Sequence, residues 1–208
     1  MAVDFQNLLA SPTATYAEGL RFFNGEGMLN DALTRLTRDL DAKGIDYAVI
    51  GAVALNQHGF QRFTTDIDVL MTPAGLELFR ELVGLGYRPA FEGATKKFRT
   101  SDNIPVEVIT TGEFPGDGKP KSVVFPEPSE FAVEIDGVKT INLEKLIELK
   151  LASGMTVPDR LKDLADVQEL IKIKGLGADF AKGLDASVRD KFIELADAVV
   201  AGRDDRNF

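Results

Sequence analysis

Asp66 and Asp68 stand two apart in the run Arg62-Phe63-Thr64-Thr65-Asp66-Ile67-Asp68-Val69. In an extended strand that spacing puts both carboxylates on one face and points Ile67 and Val69 to the other. Two adjacent anions repel and raise each other's pKa, so the pattern makes chemical sense where a divalent cation lies between them. The same alternation also describes an ordinary strand with one solvated face. Glu107 sits between two valines in Val106-Glu107-Val108, and a carboxylate within an apolar strand is costly unless paired or ligated. From a neighbouring strand it can complete a three-carboxylate metal set; on an edge strand it simply faces water. Upstream, an apolar run ends at Gly51-Ala52. Strand, glycine and helix in that order let backbone N–H groups receive phosphate oxygens.

Composition narrows the metal and the chemistry. The chain has 208 residues, no cysteine and one histidine, His58. Disulfides, thiolate zinc sites, iron–sulfur clusters and cysteine nucleophiles are excluded together. A single imidazole cannot build a multi-histidine site, so a metal here rests on carboxylate oxygen, which suits Mg²⁺ or Mn²⁺. The net charge of −9 opposes coating by a polyanion. No stretch reaches the roughly 18 to 20 apolar residues of a membrane span. The start carries Asp4 and lacks a basic region, so neither export nor membrane insertion is expected and the expected location is cytoplasmic.

These residues must be positioned by regular elements. The first 27 residues show little periodicity and read as an N-terminal extension. Leu29, Leu33, Leu36 and Leu40 recur at helical spacing, with Gly44 as a C-cap. Asp46 to Ile50 reads as a strand, and a small-residue helix follows Gly51 and stops near Gly59. Asp66 to Met71 is the second strand. It ends at Thr72-Pro73, a cap and first helical turn, and the helix that follows carries Leu76, Phe79, Leu82 and Val83 inward. Short strands are expected at 87–91, 97–100, 105–109, 131–135 and 138–141, with an exposed Pro- and Gly-rich loop over 110–121. From Asn142 the pattern turns helical, with a break over 154–158, a helix over 161–173 and a last one over about 185–200.

At these positions the sequence resembles a known family. Gly51-Ala52, a short helix, then Arg62-x-Thr64-x-Asp66-Ile67-Asp68 is similar to the nucleotidyltransferase superfamily of the DNA polymerase beta type, particularly its minimal bacterial members and the abortive-infection (AbiEii-like) toxin group. The later blocks Leu146-Ile147-Glu148-Leu149-Lys150 and Arg160-Leu161-Lys162-Asp163-Leu164-Ala165-Asp166 resemble the helical part of that group. The resemblance spans about residues 45–172 and implies an α/β (α+β) fold: a small mixed sheet flanked by helices over 28–141, with a helical part over 142–208 packed on the same domain. It implies that Gly51 faces a nucleoside triphosphate, that Asp66 and Asp68 hold Mg²⁺, and that Glu107 shares the metal and helps deprotonate an acceptor hydroxyl. Ala52, Arg62, Thr65 and Lys150 join Gly51 as nucleotide-binding residues. Two positions depart from the pattern: Ala52 replaces a serine or glycine, and Glu107 replaces the usual aspartate.

The expected activity is transfer of a nucleoside monophosphate from an NTP to an acceptor hydroxyl on tRNA, a protein or a small molecule, within a toxin–antitoxin or phage-defence system that would supply a cognate protein partner. The alternative is a catalytically silent module of the same fold that partners another protein, motivated by Ala52 and Glu107. Several residues also have plainer readings. Lys150 can be a lysine snorkelling at the edge of a core helix, and Lys162 can pair with Asp166 across one helical turn. His58 reads as a helix-end residue, and Lys96-Lys97-Phe98-Arg99 with Lys119-x-Lys121 reads either as a local positive patch or as a solvated face.

Overall fold

The computed structural model describes residues 4–204; the outermost parts of the expected extension and helical part, residues 1–3 and 205–208, lie outside it. The stretch that reads as aperiodic forms two helices, α1 (Phe5–Leu9) and α2 (Pro12–Phe23), capped by Asp4 and Ser11. Then come α3 (Met28–Ala42), β1 (Tyr47–Ile50), α4 (Gly51–Gln57), β2 (Ile67–Met71) and α5 (Pro73–Arg80). The strands β3 (Tyr87–Pro89), β4 (Lys97–Thr100) and β5 (Pro105–Thr110) precede a single turn, α6 (Pro128–Phe131). The chain ends with the hairpin β6 (Ala132–Ile135) and β7 (Val138–Ile141) and the helices α7 (Leu143–Thr156), α8 (Leu161–Lys174) and α9 (Ala186–Asp204).

The seven strands form one mixed sheet in the order β3-β4-β5-β2-β1-β7-β6. At its centre β2 runs antiparallel to β1 and parallel to β5. The alternation expected of Asp66-Ile67-Asp68-Val69 sorts the two faces. Tyr47, Val49, Ile67, Val69, Val106 and Val108 join the core formed with α1, α2, α3 and α5. Ala48, Ile50 and Leu70 point the other way, into the core formed with α7, α8 and α9. Asp68 and Glu107 share the parity of Leu70 and Ile109, so their side chains rise from the face that α7 covers.

Several features differ from the sequence reading. Gly154 does not break α7, which continues to Thr156; a Cβ there would meet Leu164 of α8, so the glycine is a close-packing site between two helices. The helix begun by Pro73 stops at Arg80, and Val83, beyond its end, is 40% exposed instead of inward. The N-terminal stretch is tied into the core. Phe5 is fully buried, its N–H donates to the Asp102 carbonyl at 3.1 Å, and the Asp4 carboxylate accepts from the Asn103 amide at 3.0 Å. Truncating Phe5 to alanine is therefore expected to cost about 3 kcal/mol of unfolding free energy in urea; a loss below about 0.5 kcal/mol would mark the stretch as a dispensable appendage.

Candidate active site

Gly51 takes a left-handed conformation, φ +65°, at the point where β1 turns into α4. Its neighbour Ile50 pairs with Asp68 across the β1–β2 ladder, and a Cβ on Gly51 would overlap Oδ2 of Asp68. Only glycine meets both demands, since any other residue would be strained at that φ and would displace the carboxylate. On the other side of β2, Asp68 stands directly opposite Glu107 of β5. Adjacent strands lie about 4.8 Å apart, so the two residues are next neighbours.

Asp66, Asp68 and Glu107 border one cavity of about 420 Å³. Asp68 is half-buried in the cavity wall, and the loss of water there, reinforced by the charges of Asp66 and Glu107, pushes its carboxyl up to about 7; Lys150 and Lys162 act in the opposite direction. Among the described residues, no three acidic or histidine side chains are already gathered as a ligand set for a metal ion. Glu107 stands 3.3 Å from Lys97, and one oxygen of Asp66 accepts a hydrogen bond from the Thr64 hydroxyl at 2.5 Å. The donor set nevertheless fits a hard divalent cation. It offers oxygen atoms only, on and beside neighbouring strands, with the Asp68 carboxyl pushed towards its neutral form by burial and by its acidic neighbours.

The opposite wall of the cavity is cationic. Lys150, buried on α7, donates to Asp163 at 3.0 Å and to Asp166 at 2.7 Å. Arg62 also donates to Asp166, at 2.6 Å, and Ser153 donates to Asp163 at 2.8 Å. Burial alone would raise Asp163, but the Lys150 ammonium and the hydrogen bonds from Lys150 and Ser153 hold it below the usual carboxylate value. Arg160 and Lys162 stand exposed at the rim. The third boundary is apolar: Ile109, Leu146, Leu149 and Phe125, together with Phe114 to Gly116 of the loop after β5. That loop is seated on α7, where Gly116 lies so close to Thr156 and the Ser153 backbone that a Cβ would collide with both.

No protein-family model and no curated protein matches the chain. Solved structures do. ANT(2″)-Ia in complex with adenylyl-2″-tobramycin superposes with a TM-score of 0.52 at 18% identity, over 78% of this chain and 97% of that one. The fold is nucleotidyltransferase-like. Weaker superpositions are given by the solution structure of the antibiotic-resistance factor ANT(2″)-Ia, with a TM-score of 0.47 at 13% identity over 85% of this chain and 95% of that one. A nucleotidyltransferase candidate from Thermotoga maritima gives 0.44 at 17% identity, over 65% and 91%.

In this nucleotidyltransferase-like fold, Gly51, Ala52, Arg62, Asp66, Asp68, Glu107 and Lys150 all border the same cavity. Thr65 does not; Thr64 borders it instead and is 7% exposed. β2 begins only at Ile67, so Thr64, Thr65 and Asp66 precede it; the sequence signal for Thr64 is its place in the Arg62-x-Thr64-x-Asp66 motif. The helical pair expected between Lys162 and Asp166 does not form. Asp166 is buried and takes Arg62 and Lys150, while Lys162 borders the cavity. Asp163, which stands in the second helical block, and Ser153, three residues after Lys150, complete this network, although the sequence reading gives neither a site role. His58 is a helix-end residue as expected: it follows α4, is buried, and its Nε2 lies 2.8 Å from the Ile141 carbonyl oxygen.

Proposed function

We propose that this protein is a Mg²⁺-dependent nucleotidyltransferase that moves a nucleoside monophosphate from an NTP to an acceptor hydroxyl. One observation carries the reading: a single cavity sets Asp66, Asp68 and Glu107, beside the Gly51 turn, against a wall bearing Lys150 and Arg62. Carboxylates on one side and cations on the other suit a metal–triphosphate ligand, which is positive at the ion and negative along the phosphates.

Asp66 and Asp68 would hold Mg²⁺ or Mn²⁺, with Glu107 sharing it from the next strand. The ion supplies neutralisation of the triphosphate and of the pyrophosphate that leaves. The missing side chain of Gly51 leaves its peptide open to phosphate oxygens, and Ala52 contributes backbone only. Lys150 and Arg62, held by Asp163 and Asp166, are already fixed in direction, so their charge meets phosphate without reorganisation. Glu107, half exposed beside Lys97, can accept the proton of the acceptor hydroxyl, through the longer side chain it has in place of aspartate. Phe114 and Phe125 give one end of the cavity an apolar boundary.

ANT(2″)-Ia, whose complex holds an adenylylated small molecule, supports the same class of transfer here. The acceptor is an hydroxyl on tRNA, a protein or a small molecule, and the setting is a toxin–antitoxin or phage-defence pair with a cognate protein partner. Incubating the chain with each α-labelled NTP, Mg²⁺, total tRNA and cell extract separates these. Label retained in the RNA, protein or small-molecule fraction, with equimolar pyrophosphate, is the expected result. NTP binding without pyrophosphate in any arm would favour the silent module.

A further inference from the structure

Thr64 precedes β2 and is buried, and its hydroxyl donates to Oδ1 of Asp66 at 2.5 Å. The connection that carries it is fixed from behind. The Asn56 amide donates to the Ala52 carbonyl at 2.8 Å and to the Arg62 carbonyl at 2.7 Å, and its Oδ1 accepts from the Arg62 N–H at 2.9 Å. One asparagine thus binds the helix that follows Gly51 to the backbone two residues before Thr64. The position of the Thr64 hydroxyl is consequently set by the fold.

We infer that Thr64 is a positioning residue for the metal site: its hydroxyl fixes the rotation of the Asp66 carboxylate and leaves Oδ2 for the cation. This rests on the reading of Asp66 as a metal ligand. A carboxylate offers two equivalent oxygens on a freely rotating bond; tying one to a donor removes that freedom before the ion arrives. Partners of this kind, one bond removed from the ion, commonly change metal affinity 10- to 100-fold when removed. A threonine that merely terminated the strand would change stability and leave ion affinity alone.

Mn²⁺ titration of the full chain without nucleotide, followed by electron paramagnetic resonance, tests this in wild type, Thr64→Ser, Thr64→Val and Thr64→Ala, with a thermal melt of each. The serine variant keeps the hydroxyl and is expected to bind within about twofold of wild type, while valine and alanine weaken binding about tenfold. Alanine adds no bulk, so it remains informative should valine fold poorly. Equal Mn²⁺ affinity in all four proteins overturns the role of Thr64 and leaves the metal reading standing. No binding by wild type overturns both.

Discussion

Replacing Asp68 by asparagine is expected to raise the melting temperature of the metal-free protein at pH 8 and to abolish the stabilisation that Mg²⁺ with NTP gives the wild type. Both effects follow from one carboxyl. Burial, then Asp66 and Glu107, push Asp68 up to about 7 from an ordinary value of 3.8. The folded state therefore holds this proton at pH values where the unfolded chain has released it. Stability from that difference is full below about pH 4 and is lost as the pH rises through about 7. At pH 8 wild-type Asp68 is an anion beside Asp66 and Glu107 that Lys150 and Lys162 offset only in part, and asparagine removes the charge while keeping the shape. The gain is several degrees, given that 1 kcal/mol moves the midpoint of a chain this size by roughly 2 to 4 °C. It should vanish near pH 4. An ordinary surface position would instead change stability within about 0.5 kcal/mol at every pH. If Mg²⁺ and NTP stabilise both proteins equally, Asp68 is not a metal ligand.

Lys150→Met is expected to cost about 3 kcal/mol in urea unfolding at pH 7, together with a marked loss of NTP affinity. Methionine fills the same volume, so the cost is electrostatic. Removing one partner from a buried pair leaves the other charge uncompensated and typically costs 3 to 5 kcal/mol. Here Asp166 keeps Arg62 and Asp163 keeps Ser153, which places the cost at the lower end. Combining Lys150→Met with Asp163→Asn should restore part of the loss, and so should lowering the pH until Asp163 is protonated. The exposed Lys182–Asp179 pair is the natural control; exposed pairs contribute at most about 1 kcal/mol. A loss as small as that control's would mean that Lys150 is solvated and free of the network.

The parts of this site that rest on local periodicity are legible in the order of the residues. Asp66 and Asp68 share a face because strand alternation has a period of two, and the cap at Thr72-Pro73 needs only adjacent residues. Glu107 is legible as an anomaly among valines, though its register opposite Asp68 is a tertiary fact. The cationic wall is legible only in part. Asp166 lies within reach of Lys162 on its own helix, yet burial turns it to Arg62, 104 residues away in sequence, and to Lys150 on α7. No helical spacing rule anticipates such a choice. The five residues of α1 are too few for a periodic signal, and α2 buries only Glu18 and Phe22 while Tyr16, Leu20 and Phe23 stay exposed, so it carries no apolar stripe; Phe5 and Phe22 gain their stability from a core assembled elsewhere in the chain. Thr65 is assigned to the nucleotide in the sequence reading, although the motif Arg62-x-Thr64-x-Asp66 itself contains Thr64 and leaves Thr65 open.

The nucleotidyltransferase account stands or falls on whether a cation and a nucleotide meet at Asp66 and Asp68. Anomalous diffraction from crystals grown with Mn²⁺ and a non-hydrolysable NTP analogue measures this directly. A Mn²⁺ peak touching both carboxylates, with the phosphates lying between Gly51 and Lys150, is the predicted result. Nucleotide bound away from this cavity, or bound within it with no Mn²⁺ at either aspartate, would contradict it.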